Sequence, residues 1–389
     1  MMDISNLMAQ LRHVGPDILQ NYCIINGNIW PLEQVEKMGL EEYAARTIFS
    51  LPLRFYKYYP DVKKDGTNYS ILALESNEVY LSSPSAFDDV FDSEIYVPWE
   101  DFEAHRIKTY AQWCKCDLAP NASTEDAANA FLMCIYNAVQ NGSTLESAFS
   151  TEGQEELVKL QVSLFSKRML CKMMAVNDWG IALRNVLTEE YNRFSKDLQQ
   201  MFRVACFTTT PVSQLMWGGY ANEHNGFCLE YTVIIDKEYE DVLHNIRPVL
   251  YCKTRQSVTQ ALLESYDHNL SVKALSDIYF NGALRKSIDW AYQNEWRLLL
   301  PPQEHGQKGF SKKFFPITKV YLGNRMSKDR REEIIGICKR KGIPYVGVIR
   351  SPELFEMQEC DTLCENCVRY NSSQEELPKD NQKTIYCKR

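Results

Sequence analysis

Glu295, in the run AYQNEWRLLL, is the carboxylate whose surroundings ask most of it. With Arg297 it flanks the indole of Trp296 at the head of an apolar stretch, where charge is costly to bury without partners. Either it forms a structural ion pair with some Arg or Lys, or it is the key carboxylate of a cleft. Arg297 need not be the partner, because adjacent strand residues point opposite ways. A second cluster, Asp88, Asp89, Asp92 and Glu94, follows a strand end. Such carboxylates could bind a hard cation such as Mg²⁺ or share acid–base work. The alternative is a solvated turn capped by an Asp. Phe87 and Phe91 alternate with these acids and would pin the turn to a core.

Residues 216–226 read MWGGYANEHNG. Trp217 and Tyr220 enclose two glycines, so flat rings stand beside an open backbone. That arrangement could stack a base or a nicotinamide ring, with His224 as a proton donor. The plainer reading is a turn with two core aromatics and an exposed His. Lys57, between Tyr56 and Tyr58, could grip a phosphate or a ribose, or could simply snorkel out of an aromatic core. Cys360, Cys364, Cys367 and Cys387 come close to the spacing of a four-thiolate zinc knot, or are unliganded thiols on a loose tail. No Gly-rich phosphate or dinucleotide loop, zinc-protease helix or nucleophile elbow occurs. The basic residues Arg325, Lys328, Arg330, Arg331, Lys339, Arg340 and Lys341 read as the solvated face of a helix.

The elements that must place these residues follow from pattern. Residues 33–49 read as a helix. The segments 53–59, 78–83, 203–208, 226–233, 247–252, 295–300 and 317–322 read as strands. Phe227, Leu229, Tyr231 and Val233 share one face of their strand. Helical patterns fill residues 100–200, including a capping pair at Ser123 and Asp126. Further helices are expected at 256–287 and 328–341, and a last strand at 345–349. The expected fold is α+β: a central mixed or antiparallel sheet with flanking helices and a helical insertion. The expected organisation is a helical lead-in over 1–52, one domain over 53–350 with its insertion near 100–200, and a Cys-containing tail over 351–389.

Hydrophobic residues make up 45% of the 389, enough for a packed core, which excludes intrinsic disorder and fibrous classes. The net charge of −8 argues against non-specific nucleic-acid binding, which needs a basic footprint. No basic n-region precedes an apolar core, and no stretch of about 18 apolar residues occurs, so neither a signal peptide nor a membrane span is expected. Thirteen dispersed cysteines, an odd number, point to reduced thiols and a cytoplasmic location.

Five segments, in order between about 53 and 350, resemble the bacterial family called domain of unknown function 2971. They are LRFYKYYPDV, EVYLSSPSAFDDVFDSE, VACFTTTPVSQLMWGGYANEHNGFCLEYTV, WAYQNEWRLLL and ITKVYLGNRMS. In the second, Asp88-Asp89-Val90-Phe91-Asp92 replaces the family's Asn-Asp-Pro-Phe-Glu. The resemblance implies a shared fold and carries no general activity with it. The order of elements is also similar to that of ADP-ribosyltransferases, with Lys57 where those favour His or Arg. That likeness implies NAD as substrate, with Glu295 stabilising the cation formed when the nicotinamide–ribose bond breaks. Lys57 and Tyr58 would hold the ribose or adenylate side, and Ser82 and Ser83 would position the ribose. Trp217 or Tyr220 would stack the ring, and Asp89 and Arg297 would complete the binding set. The alternatives are a non-catalytic recognition module, such as a sensor in bacterial defence with a protein partner, and a metal-dependent hydrolase built on the acidic turn. Any small-molecule reading requires Lys57, Ser83, Asp89, Tyr220 and Glu295 to meet in one pocket.

Overall fold

Runs of aromatic and β-branched residues become strands wherever they can be buried on a pleated surface. The computed structural model describes residues 20–360 apart from 88, 90, 95, 115, 120, 142–147, 160–178, 260–273, 275, 277 and 305. Asp88, residues 160–178 of the stretch expected to be helical, and the tail cysteines Cys364, Cys367 and Cys387 lie outside the described residues. The strands are β1 (Tyr22–Ile25), β2 (Asn28–Pro31), β3 (Arg54–Tyr59), β4 (Glu78–Ser82), β5 (Arg203–Thr208), β6 (Phe227–Thr232) and β7 (Ile246–Pro248). They continue with β8 (Leu250–Cys252), β9 (Arg285–Ser287), β10 (Glu295–Leu300), β11 (Gly309–Lys313), β12 (Ile317–Leu322), β13 (Tyr345–Arg350) and β14 (Met357–Cys360). The fold is α+β.

Among the described residues the strands form two sheets. A ten-stranded mixed sheet runs β11-β4-β5-β3-β6-β12-β13-β14, with β10 and β7 added through β5. A four-stranded sheet runs β2-β1-β8-β9. The segment expected as one strand over 247–252 serves both sheets: β7 pairs with β10, and β8 pairs with β1 and β9. Pro248, which cannot donate to a ladder, stands at the change-over. Residues 1–52 were expected as a helical lead-in, yet they carry the β1–β2 hairpin. Asn26 and Gly27, both at positive φ, supply the turn that hairpins need. The helix expected over 33–49 is two, Leu32–Glu36 and Leu40–Ile48. The helix expected through 287 gives way to a π-turn at Tyr279–Ala283 and then to β9.

The chain divides into two units: residues 1–93, 200–255 and 282–389, and residues 94–199 with 256–281. The second unit thus includes a returning stretch that the expected insertion over 100–200 omitted. Its described helices are Trp99–Trp113, Thr124–Gln140, Thr151–Lys159 and Trp179–Gln199. They bury Tyr110, Phe131 and Leu187, with Arg106 paired to Glu190 inside the core. No helix among the described residues is long and apolar enough to cross a membrane.

In the first unit both sheet faces are covered. Phe55, Leu229, Tyr231 and Trp296 pack with Ile334 and Ile337 of the helix Lys328–Lys341. The opposite face, with Tyr56, Tyr58, Cys228 and Tyr321, packs against Trp217 of the helix Gln214–Tyr220. That double burial leaves no room for side chains where loops cross. A Cβ at Gly226 would lie 2.0 Å from the Tyr59 carbonyl oxygen, and one at Gly323 would lie 2.2 Å from that of His224. Gly226→Ala and Gly323→Ala should each cost about 1–3 kcal/mol in urea-induced unfolding. Gly218→Ala, with nothing within 4 Å, should be neutral or stabilising by up to about 1 kcal/mol. Equal midpoints for all three variants would contradict this packing.

Candidate functional site

Strand alternation places Glu295 and Arg297 on one face of β10, because they are two residues apart and flank Trp296. The expectation that Arg297 need not be the partner of Glu295 is therefore corrected. Arg297 Nε donates to Glu295 Oε1 at 2.7 Å, and Nη2 reaches Glu295 Oε2 at 3.3 Å. Nη2 also donates to Asp92 Oδ2 at 2.7 Å. Nη1 donates to Ser93 Oγ at 3.0 Å and to the Ala283 carbonyl at 2.6 Å. A guanidinium has five N–H donors, and all five are matched here in a fully buried side chain.

Lys286 closes the group. Its ammonium lies 2.9 Å from Asp92 Oδ2 and 3.0 Å from Glu295 Oε2, and it donates to Gln293 Oε1 at 2.8 Å. Its charge is thus met by two carboxylates and an amide oxygen. Two buried acids face two buried bases, so the quartet is neutral as a whole. Burial alone would raise the Glu295 carboxyl, but Arg297 and Lys286 outweigh it and hold the group well below the usual carboxylate range. Asp92 is lowered by the same balance, burial against Arg297 and Lys286. On Lys286 burial pulls downward, yet Glu295 and Asp92 keep its ammonium above the ordinary value.

The quartet borders a cavity of about 570 Å³ within the first unit. Lys57, Tyr58, Asp89, Tyr220 and Glu295 all line it, so distant parts of the chain do meet. Ser83 does not: it is buried outside the cavity and bonded to Ser85 and Gln200. Ser82 pairs with Val204 and is likewise outside the lining. Trp217 is also not a wall. It is fully buried, its Nε1 donates to the Pro211 carbonyl at 2.7 Å, and it stands edge-on to Tyr58. Arg297 lies behind the wall and acts through Glu295 and Asp92. His224 stacks on the far partner of that set, Trp217, in a left-handed loop. Burial, then Arg325 and Arg350, lower its pKa and so disfavour the imidazolium.

Much of the remaining wall is aromatic. Tyr56, Phe87, Phe207, Trp290 and Tyr292 line it, with Tyr220 accepting a hydrogen bond from Gln293 at 2.6 Å. Burial pushes the Tyr220 phenol up to about 12. Tyr58 spends its hydroxyl on the Thr210 carbonyl at 3.1 Å. Pattern reading passed over Lys286, Trp290, Tyr292 and Gln293. Lys286 was hidden inside a segment read as helix, although three aromatics crowd the run WAYQNEW just beyond it.

Of the acidic turn, Asp92 is consumed by the quartet, while Asp89 accepts the Phe91 N–H at 2.9 Å and faces the cavity. Among the described residues no group of acids, histidines or cysteines has the geometry of a metal site. Cys360 is buried at the end of β14. The basic cluster is not one solvated face. Arg331 is buried and donates to the Gly323 carbonyl, and Arg330 pairs with Asp61.

Residues 216–298 match the family described as a protein of unknown function (DUF2971). The match covers the Trp217–Tyr220 part of the helix Gln214–Tyr220, β6 and the Glu295–Arg297 stretch of β10, which belong to two of the five family-like segments. No curated protein and no solved structure matches the chain.

Removing one member of a buried, fully bonded ion group leaves the others uncompensated. Glu295→Gln and Arg297→Met should each cost about 3–5 kcal/mol in chemical denaturation at pH 7. Both acids are held below their unfolded values. They therefore stabilise the fold above an unfolded pKa of roughly 4, and that contribution falls away as pH drops below it. Denaturation series between pH 7 and pH 2 should show this acid loss, and Glu295→Gln should flatten it. A variant as pH-sensitive as the parent would contradict the assignment.

Proposed function

We propose that the cavity binds a nucleotide-type small molecule bearing a flat, electron-poor ring, with NAD as the candidate, and that Glu295 assists cleavage of its glycosidic bond. The observation that carries the reading is the Glu295 carboxylate, held in its charged form by Arg297 and Lys286, on a cavity lining rich in aromatic rings. The volume of about 570 Å³ falls in the usual range for small-ligand sites. Trp290, Tyr292 and Tyr220 offer ring faces suited to a pyridinium.

The chemistry suits a fixed anion. Nicotinamide leaves its ribose as a neutral molecule and needs no proton, whereas ordinary glycosides need a protonated carboxyl to release their alcohol. A carboxylate that never protonates near neutrality cannot shuttle protons. It can oppose the positive charge growing on the ribose as the bond breaks. Glu295 would then be the catalytic residue, Arg297 and Lys286 would hold its orientation, and Tyr220 would pack against the ring.

A second reading rests on a different observation. Both Glu295 oxygens are already bonded by Arg297 and Lys286. In that case the cavity belongs to a non-catalytic sensor whose ligand meets the aromatic wall alone.

Incubation of the chain with NAD, followed by chromatography of released nicotinamide, separates these readings. Turnover should appear in the parent and fall at least about 100-fold in Glu295→Gln. Circular dichroism under assay conditions must show that the variant is folded. A folded variant with parental turnover removes Glu295 from the role. Binding without release, seen as a raised melting midpoint, selects the sensor. Neither binding nor release ends both readings.

A further inference from the structure

The two lysines on the cavity differ in a way that points to a ligand. Lys286 donates to Gln293 and Glu295 and forms an ion pair with Asp92 as well. Lys57 has one acceptor: its ammonium donates to the Cys206 carbonyl at 3.0 Å. Among the described residues no carboxylate lies within 4 Å of it.

The reason lies in the sheet. β10 pairs with β5 along its whole length and so takes one edge of that strand. On the other edge β5 meets β4 at Val204 and β3 at Thr208. Cys206 falls midway, where β4 and β3 have parted and no strand supplies a donor. Lys57 fills that gap with a single N–H. Its two other N–H bonds belong to an ammonium set beside the rings of Phe207 and Tyr59, at 5.4 and 5.9 Å, and Lys57 is among the residues that line the cavity. Ring faces ease the burial of a cation but do not neutralise it. Burial works against its charge, with Cys206 and Glu295 pulling the other way.

The quartet cannot supply the missing counter-charge, because Asp92 and Glu295 are matched by Arg297 and Lys286. Once the quartet is set aside, the charges left on the cavity lining are Lys57 and Asp89.

We infer that Lys57 is the anion-docking residue of this cavity, and that the ligand carries a carboxylate or phosphoryl group close to its flat ring. This deepens the reading of the same cavity as a nucleotide-type site. Its readout is binding, so it does not depend on turnover. An anion placed there would take up the two open N–H bonds as charge-assisted hydrogen bonds, among the stronger kinds available to a protein. Asp89 would favour a ligand that also carries a positive charge.

Two matched pairs of small molecules test this by calorimetry on the full chain. Nicotinate and nicotinamide differ in a carboxylate against a neutral amide. Nicotinamide mononucleotide and nicotinamide riboside differ in a phosphoryl group. At least one anionic member should bind about tenfold or more tightly than its partner, and the pair showing the margin identifies the anion. Lys57→Met should erase the margin. Lys57→Gln, which retains a donor for the Cys206 carbonyl, should erase it too, since the charge is what matters. The absence of a margin in both pairs with the parent chain overturns the inference. So does a margin that survives in either folded variant. If neither variant folds, the comparison within the parent still decides. NAD turnover without a margin would defeat this inference and leave the preceding reading standing; a margin without turnover would do the reverse.

Discussion

The burial of one guanidinium, that of Arg297, constrains the rest of the first unit. Inside a fold an unmatched charged donor costs far more than a matched one returns. Arg297 therefore requires acceptors from three separate stretches: Asp92 and Ser93, the Ala283 carbonyl, and Glu295. Satisfying all of them draws the loop after β4, the turn before β9 and the start of β10 to one point. Lys286 completes the neutrality of that point, and Tyr251 accepts the Glu295 backbone N–H at 2.8 Å, tying in β8. The cavity stands where these stretches converge.

The same arrangement gives two similar side chains different work. Lys286 is held by two carboxylates and an amide, so its ammonium belongs to the scaffold. Lys57 sits where β5 passes from β4 to β3 and meets one carbonyl. The two ammonium groups have the same chemistry, and their acceptors set them apart. Asp92 and Asp89 show the same division among the acids. The first is bonded on both oxygens, by Ser93 and by the two bases. The second stands on the cavity wall. Proximity in sequence told nothing of this difference, since both belong to one short acidic turn.

The aromatic residues divide in a similar way. Trp217 looked like a stacking platform beside two glycines, but a large apolar surface gains most by complete burial. It became the plug between the helix Gln214–Tyr220 and the sheet, with its single N–H spent on Pro211. Three residues on, Tyr220 falls on the cavity side of that short helix. Trp290 and Tyr292 reach the cavity from the 3₁₀ turn Ile288–Gln293, a conformation that neither alternation nor a 3.6-residue period would reveal.

Much of the fold was legible in residue order. β3, β4, β5, β6, β10 and β12 follow alternating or continuous apolar runs, and burial on a pleated sheet is the common cause of both pattern and strand. Glu295 was also legible as a site candidate, because a carboxylate opening an apolar strand must be compensated wherever it ends up. Other features depended on partners far along the chain. The split of 246–252 between two sheets, the β1–β2 hairpin and the strand at Arg285–Ser287 are set by pairing with β1, β8 and β10. Local periodicity carries no information about such partners. Glu295 could be read from composition alone as a charge in need of partners. That Arg297, Lys286 and Asp92 provide them, that Lys57 goes without, and that a cavity stands between depended on folding. Electrostatic compensation acts through space, over a few ångströms, between groups the chain keeps up to 205 residues apart.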